Sequence, residues 1–127
     1  MNKGHIYFEI QADDPKRAIN FYSQAFGWKF SEIKGLPIEY WTIETGGLRG
    51  GLLQRPAKTP PPECGTNAFV CSLEGEGFDV TAKTIVQLGG IVALPKFAVP
   101  KTCWQGYFVD PEGNTFGIFQ VDPNAGT

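Results

Sequence analysis

One order of elements is written twice along this chain, and that repetition limits what it can fold into more than anything else. Residues 5–11 (HIYFEIQ) alternate and are rich in β-formers, which predicts a strand. Asp14 before Pro15 predicts an N-cap with proline at the first helical position. Over residues 16–26, Ala18, Ile19, Phe21, Tyr22, Ala25 and Phe26 recur at helical spacing, and Gly27 supplies the stop. Strands are predicted next over 28–33, 39–44 and 51–54, with turns at Gly35, Pro37 and Gly46-Gly47. After the proline-rich 56–62, which cannot hold a central strand, the order begins again. A strand is expected over 67–73, a helix over 77–88 ended by Gly89-Gly90, and a strand over 91–94. Residues 95–102 read as a loop. Strands over 106–109 and 115–120 then flank an Asp110-Pro111-Glu112-Gly113-Asn114 turn. Each half reads β-α-β-β-β.

The fold class expected is therefore α+β, with two tandem βαβββ modules: residues 1–55, a linker at 56–62, and residues 63–127. A sheet with one helix on one face is a poor core alone. Pairing two such halves would bury both sheets and leave a cleft between them. A chain of 127 residues suits one such domain.

Composition narrows the function classes. Net charge is −2 with no Lys/Arg run, which argues against a nucleic-acid partner. No stretch approaches the ~18 apolar residues of a membrane helix, and the first residues carry no apolar run of signal-peptide length. The expectation is a soluble, cytoplasmic protein without a membrane partner. Three cysteines, Cys64, Cys71 and Cys103, with no CxxC spacing, argue against a disulfide framework or a zinc ribbon. Ten Phe, four Tyr and three Trp are many for so small a core. They favour an aromatic-lined pocket for a small planar ligand, and a two-fold homodimer. No GxSxG elbow is present, and the glycine-rich 46–51 lacks the spacing of a phosphate loop.

Two segments resemble a known family. They are residues 8–28 (FEIQADDPKRAINFYSQAFGW) and residues 106–120 (GYFVDPEGNTFGIFQ), the latter preceded by LGGIV at 88–92. They look like the opening strand-helix and the closing hairpin of the vicinal-oxygen-chelate superfamily, which includes glyoxalase I, bleomycin-resistance proteins and extradiol dioxygenases. The resemblance implies a cleft between the modules, a homodimer, and four metal-ligand positions, one on each of four strands. Counted onto this chain, those positions fall on Tyr7, on Gly51 or Leu52, on Ala68 beside Asn67, and on Gly117. None of Leu52, Ala68 and Gly117 coordinates by side chain, and a phenol is mostly protonated at neutral pH. The expectation is no metal and no other cofactor.

By period-2 alternation His5, Tyr7 and Glu9 share one strand face. Glu9 is the candidate general base, with Tyr7 beside it to donate a hydrogen bond to a substrate carbonyl. The alternatives are that Glu9 pairs with Lys or Arg across the sheet or faces solvent. The ligand-lining candidates are Tyr7, Glu9, Tyr40, Trp41, Phe69, Trp104 and Phe116. The function expected is metal-independent binding of a small planar or aromatic molecule. The alternatives are an atypical lyase or isomerase using Glu9 and Tyr7, or a metal-dependent enzyme of the same superfamily.

Overall fold

Asp14 starts the first helix as its side chain requires, accepting a hydrogen bond from the Arg17 N–H at 3.2 Å, with Pro15 in the first turn. Gly27, at φ 71°, ends it, and its N–H donates to the Ser23 carbonyl. Glycine takes this left-handed conformation without steric cost. These signals bound α1 (Pro15–Phe26) within a computed structural model that describes residues 2–58 and 69–127.

The remaining elements are β1 (Asn2–Ala12), β2 (Lys29–Ile33), β3 (Tyr40–Glu44), β4 (Arg49–Gln54), β5 (Val70–Gly75), α2 (Phe78–Gln87), β6 (Ile91–Val99), β7 (Cys103–Val109) and β8 (Thr115–Val121). The fold is α+β, with eight strands and two helices among the described residues. No helix among them is long and apolar enough to cross a membrane. The chain divides into two compact units, Tyr7–Phe69 and Met1–Ile6 with Val70–Thr127.

In the Tyr7–Phe69 unit the strand order is β2-β3-β4-β1. The pairings of β2 with β3 and of β3 with β4 are antiparallel, while β1 runs parallel to β4 with Glu9 opposite Gly51. Alternation sorts the side chains. Phe8, Ile10, Trp41, Ile43 and Leu52 form the buried cluster, against which Ala18, Ile19 and Tyr22 of α1 pack. Leu52 is wholly buried, worth about 1.5–3 kcal/mol of burial. The odd-numbered residues of β1 and the even-numbered residues of β3 point to the other face.

In the second unit the order is β1-β5-β8-β7-β6. The ladder between β5 and β8 is parallel, and those between β7 and β8 and between β6 and β7 are antiparallel. Phe78 of α2 packs on Phe108 and Ile118, joined by Ala82, Ile85, Trp104 and Phe116.

Of the loop expected over residues 95–102, residues 100–102 form a turn and residues 95–99 depart from it. Strand β6 continues through Pro95 to Val99, with register shifts between Val92 and Leu94 and between Leu94 and Phe97. It is the last strand in the order, and an edge strand with bulges tolerates a residue that lacks an N–H. Strand β7 then starts at Cys103, so Cys103 and Trp104 lie in the sheet and not in a loop before it.

The 110–114 turn is held by its own first residue. Asp110 Oδ1 accepts from the backbone N–H of Glu112 at 2.8 Å and of Asn114 at 2.9 Å, while Gly113 takes φ 83°. The Asn114 N–H leads the hydrogen bonds that hold the Asp110 carboxyl below its usual range.

Candidate functional site

On the face of the Tyr7–Phe69 unit that points away from its aromatic core, three polar side chains meet over a glycine. Tyr7 and Glu9 come from β1 and Tyr40 from β3, with β4 lying between those strands. For Tyr40 to reach Glu9 its phenol must cross β4, and it crosses at Gly51. A Cβ on Gly51 would overlap Tyr40 Oη, and would lie 2.5 Å from Tyr40 Cζ and 2.7 Å from Tyr7 Oη. The glycine is the opening through which the network forms.

Tyr40 Oη donates to Glu9 Oε2 at 3.1 Å, and the Tyr7 and Tyr40 hydroxyls lie 2.8 Å apart. A phenol has one hydrogen. With that of Tyr40 given to Glu9, the bond between the phenols runs from Tyr7 to Tyr40, making a directed chain that ends on the carboxylate. Glu9 is only 7% exposed, a burial that costs several kcal/mol unless hydrogen bonds offset it. Burial, and after it the charge of Glu9 and the neighbouring Tyr7, raises the Tyr40 pKa far above the ordinary phenol value. Tyr40 thus remains a donor across the physiological range. The arrangement can hold a planar group by hydrogen bonding to phenol or carboxylate, and it places a carboxylate where it can exchange a proton with what is held.

The structure brings Tyr7, Glu9 and Tyr40 together and leaves the other four lining candidates elsewhere. Trp41 lies in the core cluster against α1, one residue out of phase with Tyr40. Phe69 stacks on Phe8 at 5.9 Å and meets Tyr22 edge to face at 6.4 Å, on that same helical side. Trp104 packs into the α2 cluster, its indole N–H donating to Asp122 Oδ2 at 3.0 Å. Phe116 stacks on Phe108 in that cluster. Glu9 accepts from a tyrosine two strands away. Arg55 is engaged instead with Asp13 and the Gln11 carbonyl. Two buried polar residues on the second unit, Ser72 and Gln105, were not anticipated from sequence. The available signal was phase, since Gln105 faces Phe119 and Tyr107 faces Gly117 across the β7–β8 ladder.

The family model of the glyoxalase-like domain matches residues 6–119. This chain belongs to that family. No curated protein matches this glyoxalase-like chain. Among solved structures, a hypothetical protein from Bacillus halodurans superposes with a TM-score of 0.70 at 11% identity, covering 95% of this chain and 96% of that one. Methylmalonyl-CoA epimerase from Mycobacterium tuberculosis gives 0.67 at 12% identity, over 92% and 87%. A member of the glyoxalase/bleomycin resistance protein/dioxygenase superfamily from Vibrio splendidus gives 0.64 at 15% identity, over 91% and 97%. At these identities the likeness is one of fold.

At those of the family's ligand positions that the structure describes, the residues present do not fit a divalent metal. Of Gly51 and Leu52, the glycine is on the face of Glu9 and Leu52 is buried in the core, and neither offers a donor. Gly117 likewise has no side chain, and Tyr7 is bonded to Tyr40. Asn67 and Ala68 lie outside the described residues, as does Cys64. His5 Nδ1 sits 2.6 Å from Glu74 Oε1, in the other unit from Glu9. Among the described residues no three His, Cys, Asp or Glu side chains converge.

Proposed function

We propose that this glyoxalase-like protein binds a small, planar, uncharged or weakly polar molecule through Tyr7, Glu9 and Tyr40, without a metal. The observation that carries this reading is the directed Tyr7–Tyr40–Glu9 chain over Gly51. Two phenols give flat apolar area with a polar tip, a combination suited to a ring bearing a hydroxyl or carbonyl. Net negative charge and the absence of a basic cluster disfavour phosphorylated ligands.

A second reading is proton transfer to or from carbon, as in an isomerase or lyase. It is favoured by the near-complete burial of Glu9 beside a phenol donor, a setting in which a carboxylate acts as a general base.

A thermal-shift panel of aromatic aldehydes, phenols and nucleotides separates these ideas from their opposites. Aromatic compounds should stabilise the protein by several degrees and nucleotides should not. The response should be lost in Glu9→Gln and Tyr40→Phe. Stabilisation by nucleotides, or an aromatic response that both variants retain, refutes the binding reading. Mass spectrometry of the recovered compound tells binding from turnover.

A further inference from the structure

A second polar site stands on the other unit, built on the same plan and with no charge. Gly117 of β8 pairs with Ser72 of β5 just as Gly51 pairs with Glu9. Gln105 of β7 lies where Tyr40 lies on β3: each is two residues from the one opposite the glycine. A Cβ on Gly117 would overlap Ser72 Oγ and would lie 2.7 Å from Gln105 Nε2 and 3.1 Å from Tyr107 Cδ1. Once again a missing side chain lets polar groups lie down on the sheet.

Gln105 is 8% exposed and Ser72 is 2% exposed. The amide nitrogen of Gln105 donates to Ser72 Oγ at 3.1 Å and to the Gly106 carbonyl at 3.4 Å. A carbonyl only accepts, so this contact fixes which end of the amide is nitrogen. The amide oxygen then points the other way. It accepts no hydrogen bond among the described residues, and no fully buried side-chain polar atom there lacks a partner, so the oxygen opens to the surface. Its cross-strand neighbours on the same face are Phe97 and Phe119, and the Tyr107 ring stacks on Phe97 at 6.4 Å. An outward-facing acceptor is thus set among flat apolar rings. The acidic group nearest in the ladder, Glu74 opposite Phe119, is taken up by His5.

We infer that Gln105, seated by Ser72 and Gly117, is a recognition site for an uncharged N–H donor carried on an aromatic ring, such as an aromatic amide or lactam. The amide oxygen of Gln105 accepts from the ligand N–H, and Phe97, Phe119 and Tyr107 supply the stacking surface. A carboxylate is rejected, because it would set one acceptor against another with no cation to compensate. This site does not rest on the Tyr7–Tyr40–Glu9 reading.

The probes are benzamide and benzoate, titrated at millimolar concentration into the full 15N-labelled chain. Benzamide should shift the backbone signals of Ser72, Gln105, Gly106 and Gly117 and the Gln105 side-chain NH2 saturably. Benzoate should bind at least about tenfold more weakly, and Gln105→Met should weaken benzamide about tenfold, the usual consequence of losing one net hydrogen bond. If Gln105→Met does not fold, Gly117→Ala is the substitute: its Cβ pushes Ser72 and Gln105 off the sheet and should weaken benzamide to the same extent. Equal binding of the two probes, undiminished benzamide binding by the variant, or shifts confined to residues 7–53 would overturn the assignment.

Discussion

Replacing Gly51 by Ala puts one methyl group in place of a hydrogen and should cost far more than its size suggests. The new Cβ would overlap the Tyr40 hydroxyl and sit 2.5 Å from Tyr40 Cζ, well inside van der Waals contact. A rigid phenol cannot bend away, so the whole ring must leave. With it go the charge-assisted bond to Glu9, worth about 1.5–3 kcal/mol, and the neutral bond to Tyr7, worth about 0.5–1.5 kcal/mol. Some of this is recovered by water and relaxation, so a net loss of about 2–4 kcal/mol is expected. At roughly 4 °C per kcal/mol for a domain of this size, Tm should fall by about 10 °C. Gly47→Ala is the control: nothing lies within 4 Å of its Cβ, and its change should stay within about 0.5 kcal/mol. Urea denaturation of both variants, and of Gly51→Ala on a Tyr40→Ala background, forms the test. Once the ring is gone, the approach to Tyr7 Oη at 2.7 Å is the one of these three contacts left. That hydroxyl is the end of a side chain freed of its Tyr40 partner, so the cost there should fall below about 1 kcal/mol. Equal costs for Gly51→Ala and Gly47→Ala, or strict additivity with Tyr40→Ala, would refute the crossing of the phenol over β4.

Two further outcomes follow from named contacts. Because burial and the Glu9 charge raise the folded Tyr40 pKa, stabilisation from this phenol is present below about pH 10 and is lost as pH rises beyond it. Absorbance titration should therefore count no more than three of the four tyrosines ionising before alkaline unfolding, and four ionising in the folded baseline would contradict the network. Lys96 Nζ lies 3.1 Å from Asp79 Oδ1, 4.7 Å from the Trp104 ring centre and 5.4 Å from that of Phe78. Lys96→Ala should cost about 1 kcal/mol in a urea melt and Lys96→Arg less than half of that, with no loss in the alanine variant counting against this pinning of β6 to α2.

What could be read in advance divides by the range of the physics involved. The start and stop of α1 are local: Asp14, Pro15 and Gly27 each act on their own neighbours, and all three do so in the structure. The 110–114 turn is equally local, since Asp110 satisfies it from within. The extent of β6 is not local. Pro95 forbids a central strand and permits an edge strand, and nothing in residues 95–102 says which position β6 will take in the order.

The candidate site shows a second kind of limit. Tyr7 and Glu9 were found by alternation along one strand, which needs no tertiary knowledge. Trp41, Phe69, Trp104 and Phe116 are candidates by aromatic character alone, and residue type does not say which face of a sheet a side chain takes. Phase does. Trp41 shares phase with Ile43, and Trp104 with Phe108, so each follows its neighbours under a helix. The useful landmarks were the glycines. A buried strand glycine with no positive φ has no turn to explain it, and the room it leaves must be filled from a neighbouring strand. At Gly51 the occupant is Tyr40, and at Gly117 it is Ser72 with Gln105. A polar side chain that lies over a buried glycine has exchanged its hydration for a small number of fixed partners. The two glycines therefore mark where buried polar side chains have been placed on the sheet, and they mark it at equivalent positions of the β1–β4 and β5–β8 ladders.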